Sequence, residues 1–240
     1  MGIIRKYLFF FCFLFLIPQS YATKLVIGTL SYASPFYQND DNFFADFEIV
    51  VMKEICKRMH ADCQFETVLF HQIPQKMSKG TIDLALGSII ITSEKRKNFL
   101  FSLPYQDSHL QYVTLKKSKL TSIQQLTGKN IGVHFHCPTR NLALKHMNNT
   151  IHLSELPTAM NMLNALEKKK VSAVLTHYHQ ALQWTTKSKY KLLGSKFRIG
   201  EGYGIMTQMH RLDLIKQINE ALLDMEEDGT YLKIYKDYLS

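Results

Sequence analysis

The chain lacks several features that would place it in well-known protein classes. After residue 22 no segment reaches about 18 consecutive apolar residues, the length that a membrane-spanning helix needs. It has no low-complexity stretch and no repeat of solenoid length. Its 29 lysines and arginines outnumber its 20 acids, but they are spread along the chain, and no nucleic-acid-binding motif organises them. These absences favour a globular chain with a solvated basic surface and no nucleic-acid partner.

The N-terminus has the pattern of a secretory signal peptide. Two basic residues precede an unbroken apolar run, Tyr7–Ile17, and small and polar residues follow it up to Ala22. Cys12 lies inside the run, without the small residues of a lipoprotein cleavage site. We therefore predict a signal peptide over residues 1–22 and an exported mature chain that begins at Thr23.

Cysteines are scarce, and three of the four follow the predicted signal peptide. Cys56 and Cys63 are seven residues apart, which in an oxidising compartment favours a disulfide. The segment from Phe47 to Met59 reads as an amphipathic helix, so this bridge would join a helix end to the next strand. Cys137 is left without a predicted partner.

Short apolar strands alternate with helical patterns along the mature chain. This alternation predicts an α/β fold with mainly parallel sheets, and its two successive series suggest two lobes. The predicted strands are Lys24–Thr29, Cys63–Leu69, Asp83–Ile91, Gln111–Leu115, Ile131–Phe135, Ile151–Leu153, Val171–Thr176 and Lys191–Leu193. The clearest predicted helices are Glu48–Met59, Ile73–Lys79, Asn141–Met147 and Thr158–Lys168.

The stretch from Asp83 to Tyr105 is the most informative part of the chain. Its apolar strand ends in small and hydroxyl residues, and Thr92 or Ser93 can then cap a basic helical segment. The N–H groups and the positive dipole end of such a helix, with Lys95 beside them, form a site for an anion such as a carboxylate.

This stretch closely resembles the ligand-carboxylate loop of the family 3 bacterial solute-binding proteins, the periplasmic receptors of polar amino-acid ABC importers. The resemblance covers essentially the whole mature chain, and the Cys-x6-Cys spacing is similar to that of the histidine and lysine/arginine/ornithine receptors. Six matches in order carry it: Gly28-Thr29, Pro35-Phe36, Gly80-Thr81-Ile82-Asp83, the loop itself, Leu126 to Val133, and Asn219 to Tyr235.

The resemblance implies the two-lobed periplasmic binding protein type II fold, in which the ligand lies in a cleft between the lobes. Residues 23–107 and 206–240 would form lobe 1, and residues 108–205 would form lobe 2. Two crossover hinge segments would join them, near Gln106–Gln111 and near Gly202–Thr207. The implied partners are a small-molecule ligand and, transiently, a membrane ABC permease; the receptor would be a monomer without a cofactor.

The resemblance also assigns ligand-binding positions, and several are altered in this chain. In lobe 1 they are Tyr32, Phe70, Gly87, Ser88, Ile90 and Lys95; in lobe 2 they are Cys137 and His177. Lys95 replaces the usual arginine, and a lysine offers a point charge where arginine grips a carboxylate with two hydrogen bonds. Tyr32 is one residue away from its expected slot, and Ile90 replaces a hydroxyl residue.

The second lobe departs from the family pattern most strongly. Cys137 lies in a turn that is normally glycine followed by serine or threonine, and His177 replaces the aspartate that receives the ligand's α-ammonium group. An imidazole cannot pair an ammonium as a carboxylate does. We therefore expect either a ligand with an anionic group and little need for an ammonium partner, or ammonium contacts that the alignment does not reveal.

Other functions remain open at this level. The receptor could dock a sensor kinase instead of a permease. A metal could be bound by residues that the resemblance brings to the cleft, although alternation along a strand keeps them from all converging: His134, His136, Cys137, His177 and His179. An enzyme on the same scaffold, such as a dehydratase of small acids, could use Glu48, Glu155, Glu201 or a cleft histidine as acid or base. No activated nucleophile or paired carboxylates are visible, so we predict a receptor that is not an enzyme and holds no metal.

Overall fold

The fold is given by a computed structural model, which describes residues 23–30, 43–135, 139–186 and 188–239. Between residues 43 and 46 it describes the backbone only. The predicted signal peptide, Tyr32 and Cys137 lie outside the described residues. Among the residues described, no helix is long and apolar enough to cross a membrane.

Ten strands and seven α-helices make up the described chain. The strands are β1 Lys24–Leu30, β2 Asp62–Val68, β3 Leu84–Leu86, β4 Phe99–Phe101, β5 His109–Leu115, β6 Asn130–His134, β7 His152–Leu156, β8 Ala173–His177, β9 Tyr190–Arg198 and β10 Met206–Gln208. The helices are α1 Phe43–Arg58, α2 Ile73–Ser78, α3 Thr139–His146, α4 Ala159–Glu167, α5 Tyr178–Thr186, α6 Leu212–Glu227 and α7 Thr230–Leu239.

The strands form two separate five-stranded sheets. The first has the order β2-β1-β3-β10-β4 and the second the order β7-β6-β8-β5-β9. The predicted α/β class is confirmed, but the sheets are mixed and not mainly parallel. In each sheet two strand pairs are parallel, and the strands next to the crossings, β10 and β5, pair antiparallel with both neighbours. Parallel neighbours are normally joined by a strand–helix–strand crossover. A strand that enters from the other sheet has no such connection to its neighbours, so it can pair antiparallel with them.

The chain passes between the two sheets twice. It leaves the first sheet after Phe101 and enters the second at His109, and it returns between Arg198 and Met206. The predicted lobe boundaries fall within these two crossings, although the division of the chain into lobes stays a prediction. The crossings touch each other, because Tyr203 forms isolated bridges with both Ile90 and Gln106. The two connections therefore lie side by side between the sheets.

Helix α1 covers the first sheet and holds the C-terminal helices against it. Its buried residues Phe47, Val51 and Ile55 recur every four residues, which places them on one face. Phe47 meets the rings of Tyr231 and Tyr235 of α7 edge-on, with centroids 6.1 Å and 6.2 Å away. This packing returns the chain end to the first sheet.

The structure contains the predicted disulfide between Cys56 and Cys63, whose Cα atoms are 6.2 Å apart. It joins the last turn of α1 to the beginning of β2. The predicted helix after Thr92 is wrong in extent, because only a single 3₁₀ turn, Lys95–Lys97, forms. The N-cap position of this turn is Glu94, not Thr92 or Ser93, although the Thr92 hydroxyl accepts the N–H of Lys95 at 3.2 Å. A single turn has too few aligned peptide groups for a strong dipole, so charge at this point comes mainly from the lysine side chain.

Candidate functional site

The candidate site begins where β3 ends. The chain turns sharply there, and Gly87 and Ser88 have φ values of 126° and 48°. A Cβ on Gly87 would lie 2.9 Å from the backbone nitrogen of Leu30, so only glycine allows the loop to approach the end of β1 this closely. Ser88 adopts a left-handed conformation that is uncommon for a residue other than glycine. Such a conformation persists only where the surroundings hold it.

The carboxyl group of Glu48 binds this loop through hydrogen bonds. Glu48 lies on α1 with 3% of its surface exposed, and its Oε1 accepts the N–H of Ser88 at 2.5 Å and the Ser88 hydroxyl at 3.2 Å. The Tyr105 hydroxyl of the first crossing also donates to Oε1. Burial raises the pKa of Glu48 to about 7, although these three hydrogen bonds oppose the rise. Both Ser88 donors face Glu48, and the role of Ser88 toward a ligand stays a prediction.

Sequence reasoning missed this use of Glu48, which it named only as a possible acid or base. The available signal was a single acid between Phe47 and Ile49 on the apolar face of a helix. A buried carboxyl needs hydrogen-bond donors. The sequence does not identify those donors, because Ser88 and Tyr105 are 40 and 57 residues away.

Three of the residues predicted to bind the ligand in lobe 1 contact one another: Phe70, Ile90 and Lys95. The ammonium group of Lys95 donates to the backbone carbonyl of Ile90 at 2.8 Å and lies 5.2 Å from the centre of the Phe70 ring. Hydrogen bonding and the attraction between a cation and an aromatic face thus both orient the Lys95 side chain. The result is a positioned positive charge beside the strained loop.

His177 approaches this group from the second sheet. It ends β8, and its Nδ1 lies 2.5 Å from the hydroxyl oxygen of Tyr203 in the second crossing. Burial is the largest cause that lowers the pKa of His177 to about 4, and electrostatic interactions with His134, His179 and Lys95 lower it further. Tyr203 also forms a backbone bridge with Ile90, so it links His177 to the lobe 1 residue that binds the Lys95 side chain. At neutral pH His177 is uncharged, so it can accept a hydrogen bond but cannot form an ion pair.

The remaining histidines of the metal hypothesis face different partners. His134 Nδ1 lies 2.9 Å from the backbone oxygen of Phe135, and His179 Nε2 lies 2.6 Å from the amide nitrogen of Gln106. Within the described ranges, no group of three or more histidine, cysteine, aspartate and glutamate side chains is placed to hold a metal ion. His136 and Cys137 lie outside those ranges.

A cavity of about 270 Å³ lies beside the first crossing. It is lined by Gln106 and His109, by His179 at the start of α5, and by Tyr231 of α7. None of the six predicted ligand-binding residues that the structure describes lines it. The cavity is therefore distinct from the group formed by Phe70, Ile90 and Lys95, which we call the group around Lys95.

The two sheets, the paired crossings and the loop after β3 match a known family. The profile of the bacterial extracellular solute-binding proteins, family 3, covers residues 25–240. The chain belongs to this family. Its members are periplasmic or extracellular binding proteins, so this protein is a solute-binding receptor and not an enzyme.

Solved structures support the family assignment. An arginine 3rd transport system periplasmic binding protein from Legionella pneumophila is 38% identical, with a TM-score of 0.79, and the match covers 90% of this chain and all of the other. An ancestral arginine-binding protein bound to arginine is 28% identical, with a TM-score of 0.77 and coverage of 90% and 98%. The histidine-binding periplasmic protein of Escherichia coli K12 is 26% identical over 92% of this chain and 88% of its own length. The type II two-lobed fold is thus confirmed.

Proposed function

We propose that this protein captures an amino acid or a related carboxylate between two lobes and delivers it to an ABC importer. The single observation that supports this ligand class most strongly is the positioned ammonium group of Lys95, fixed by Ile90 and Phe70 beside the loop after β3. A carboxylate is the natural partner of such a charge. Relatives whose names specify arginine and histidine make amino acids the first solutes to test.

The ligand's ammonium group would find a weaker partner than its carboxylate. The six predicted contact residues that the structure describes include no acid: Phe70, Gly87, Ser88, Ile90, Lys95 and His177. The buried carboxyl of Glu48 is already bonded to Ser88 and Tyr105. Neutral His177 can accept one hydrogen bond from an ammonium without supplying charge. We infer that affinity depends more on the carboxylate than on the ammonium.

The cellular setting forms part of the same proposal. Residues 1–22 would direct export and be removed, and residues 23–107 with 206–240 would form one lobe opposite residues 108–205. A monomer would close around its solute by a hinge motion at the two crossings and then dock transiently on a membrane permease. The predicted contacts of Tyr32 and Cys137 belong to this proposal as well.

Isothermal calorimetry with matched solutes tests the ligand class. L-Arginine carries both groups, agmatine lacks the carboxylate, and 5-guanidinovaleric acid lacks the α-ammonium group. We expect arginine and the guanidino acid to bind within about tenfold of each other and agmatine to bind at least tenfold more weakly, because a lost charged hydrogen bond is worth about 1.5–3 kcal/mol. Agmatine binding as tightly as arginine would contradict the proposal. If arginine does not bind, the same comparison is made with histidine, histamine and imidazolepropionic acid.

A pair of lysine variants assigns the carboxylate contact. Lys95→Met should weaken binding of the carboxylate solute at least tenfold, since it removes the positioned charge while keeping an apolar stem against Phe70. Lys97→Met is the matched control, because Lys97 lies in the same 3₁₀ turn with an exposed side chain. Equal affinities of the two variants would exclude Lys95 as the carboxylate anchor.

A further inference from the structure

Charge is divided very unevenly between the two sheets. Residues 108–205, which contain every strand of the second sheet, carry fourteen lysines and arginines against three glutamates, a formal charge of +11. Residues 23–107 and 206–240 carry thirteen basic and seventeen acidic residues, a formal charge of −4. The chain as a whole is basic at +9, but its basic character lies in the second sheet and its helices.

The fold gathers much of this charge at the end of the second sheet away from the crossings. Hydrogen bonds join the segments there: the Lys116 N–H donates to Lys189 O at 2.7 Å, and the Thr114 side-chain hydroxyl donates to Ser172 O at 2.9 Å. Lys191 Nζ donates to Ser118 O at 2.9 Å. We call this surface the lysine end; it consists of Lys116, Lys117, Lys119, Lys168, Lys169, Lys170, Lys189 and Lys191.

The lysine end carries little compensating charge. Seven of its eight lysines are exposed, and Lys191 is half-buried. Glu167 is the acid beside them in these loops, where it pairs with Lys189 at 3.2 Å and accepts the Tyr190 hydroxyl at 2.6 Å. One exposed ion pair of this kind removes little of the field that so many lysines create. Lys168 caps the C-terminus of α4, but that role explains only one of the lysines.

The composition of the lysine end indicates what kind of surface it fits. It contains no arginine, and its loops contain none of the large apolar residues that the described chain exposes. Protein interfaces are usually anchored by aromatic residues and arginine, and nucleic-acid sites use aromatic stacking and arginine. Long, flexible lysines without such anchors instead fit a diffuse plane of negative charge, such as the anionic headgroups of a lipid bilayer.

We propose that the lysine end binds the anionic phospholipid surface of a membrane. β5 runs from the first crossing at His109 to Leu115 beside the lysine end, a distance of about 20 Å at 3.4 Å per residue. A receptor bound in this way keeps its crossings and the group around Lys95 away from the lipid while it stays close to its importer. This inference rests on export of the chain and is independent of the identity of the solute.

Vesicle co-sedimentation tests the inference with protein recovered from the periplasmic fraction of an expressing host and checked by mass. We expect it to sediment with vesicles that contain phosphatidylglycerol and to stay in solution with pure phosphatidylcholine. Binding should fall steeply as ionic strength rises from about 0.05 M to 0.5 M, because the Debye length shortens over this range. Equal sedimentation with both lipids, or binding that resists salt, would overturn the proposal.

Two charge-matched variants decide whether the lysine end is responsible. The first replaces five of its exposed lysines by glutamine, and the second replaces five exposed lysines elsewhere: the sets are Lys116, Lys117, Lys119, Lys168 and Lys170, and Lys53, Lys79, Lys97, Lys233 and Lys236. Each lysine near an anionic surface contributes about 1 kcal/mol, so the first variant should bind at least tenfold more weakly while the second keeps most of its binding. Equal losses would mean that net charge alone acts.

Two further readouts keep the result unambiguous. Solute affinity by calorimetry should be unchanged in both variants, because neither set includes a predicted ligand-binding residue, and this shows that both fold. Capture of the wild-type protein on polyglutamate-coated beads is measured in parallel. Binding to polyglutamate without binding to phosphatidylglycerol vesicles would identify an acidic protein as the partner and overturn the membrane proposal.

Discussion

The chemistry of the site depends on two buried titratable residues whose pKa values move in opposite directions from their ordinary ones. Glu48, whose pKa is raised to about 7, holds the loop after β3 and is only partly ionised near neutral pH. His177, whose pKa is lowered to about 4, is uncharged at neutral pH and joins the second sheet to the second crossing through Tyr203. For both residues desolvation is the leading cause, because burial penalises whichever form carries charge.

Glu48 should make the protein lose stability as the pH rises. Its pKa is raised from 4.5 to about 7 in the folded state, so the folded chain holds this proton more tightly than the unfolded chain. The resulting stabilisation is complete below about pH 4.5 and is lost as the pH approaches 7. Urea unfolding between pH 4.5 and 7 should therefore show a steeper fall in the free energy of unfolding for wild type than for Glu48→Gln. Parallel pH profiles of the two proteins would contradict this assignment.

His177 should act in the opposite sense. Its pKa falls from 6.5 to about 4 on folding, so its contribution is present above about pH 6.5 and is lost as the pH drops toward 4. The His177→Gln variant should lose less stability than wild type over that range in the same urea experiment. His210→Gln provides the control, since His210 is exposed. A His210 variant that flattens the acid profile as much as the His177 variant would show that burial of His177 is not the cause.

At the scale of elements, the two crossings depend on close backbone approach. Gly200 has φ of 58°, and a Cβ placed on it would lie 2.3 Å from the backbone oxygen of Ile91. The N–H of Glu201, the next residue in the second crossing, donates a hydrogen bond to that same oxygen at 3.0 Å. A glycine at this position therefore allows both the backbone conformation and the contact between the second crossing and the segment after β3.

Substitution of Gly200 should show how much stability depends on its close contact with Ile91, beyond the cost of a left-handed backbone conformation. Gly200→Ala should lower the free energy of unfolding by about 2 kcal/mol or more, because overpacking adds to the cost of a left-handed alanine. Gly229→Ala is the matched control: Gly229 has φ of 79° but open space around its Cα. Chemical denaturation should show a clearly larger loss for Gly200→Ala. Equal losses would mean that the contact with Ile91 does not matter.

The disulfide should matter moderately for stability. It closes a short loop between α1 and β2, and for a loop of this size the chain-entropy estimate gives about 2–3 kcal/mol. A variant with both Cys56 and Cys63 replaced by serine should lose about this much free energy of unfolding. Wild type treated with a reductant should behave like the double variant. Unchanged stability in both cases would mean that the packing of α1, without the disulfide, is enough to hold α1 against β2.

Most elements could be predicted from the sequence, because their apolar periodicity is local. α4, with Thr158 as its N-cap, is an example: the Thr158 hydroxyl accepts the N–H of Asn161 at 3.0 Å. The strand predicted over Asp83–Ile91 was wrong in extent, because β3 ends at Leu86. The apolar residues after it, such as Ile90, are buried against the second crossing instead of in a sheet. A buried loop and a buried strand share the same composition.

The site was only partly predictable for a related reason. The family resemblance indicated Phe70, Ile90 and Lys95, and the structure brings these three together. It did not indicate Tyr203, whose hydroxyl contacts His177, nor the use of Glu48 beneath the loop. Both contacts join residues that are distant in sequence, and a residue type alone does not reveal which partner the fold brings to it.

At the scale of the whole molecule, the receptor has two chemically different halves. The first sheet and its helices carry the strained loop and the Lys95 charge, while the second carries His177 and the excess of lysines. Two crossings alone link the sheets in the chain that the structure describes, which suits a hinge that closes around a solute. The basic half would also speed the encounter with anionic solutes by electrostatic attraction.

The most direct test of the central claim is a thermal-shift measurement on the mature protein with a panel of amino acids, carboxylic acids without an α-amine, and amines without a carboxylate. A solute present at 100 times its dissociation constant adds about 2.7 kcal/mol to the free energy of unfolding, which raises the melting temperature measurably. We predict that solutes with a carboxylate stabilise the protein and that the matched amines do not. Stabilisation by the amines alone, or by no member of the carboxylate set, would contradict the account.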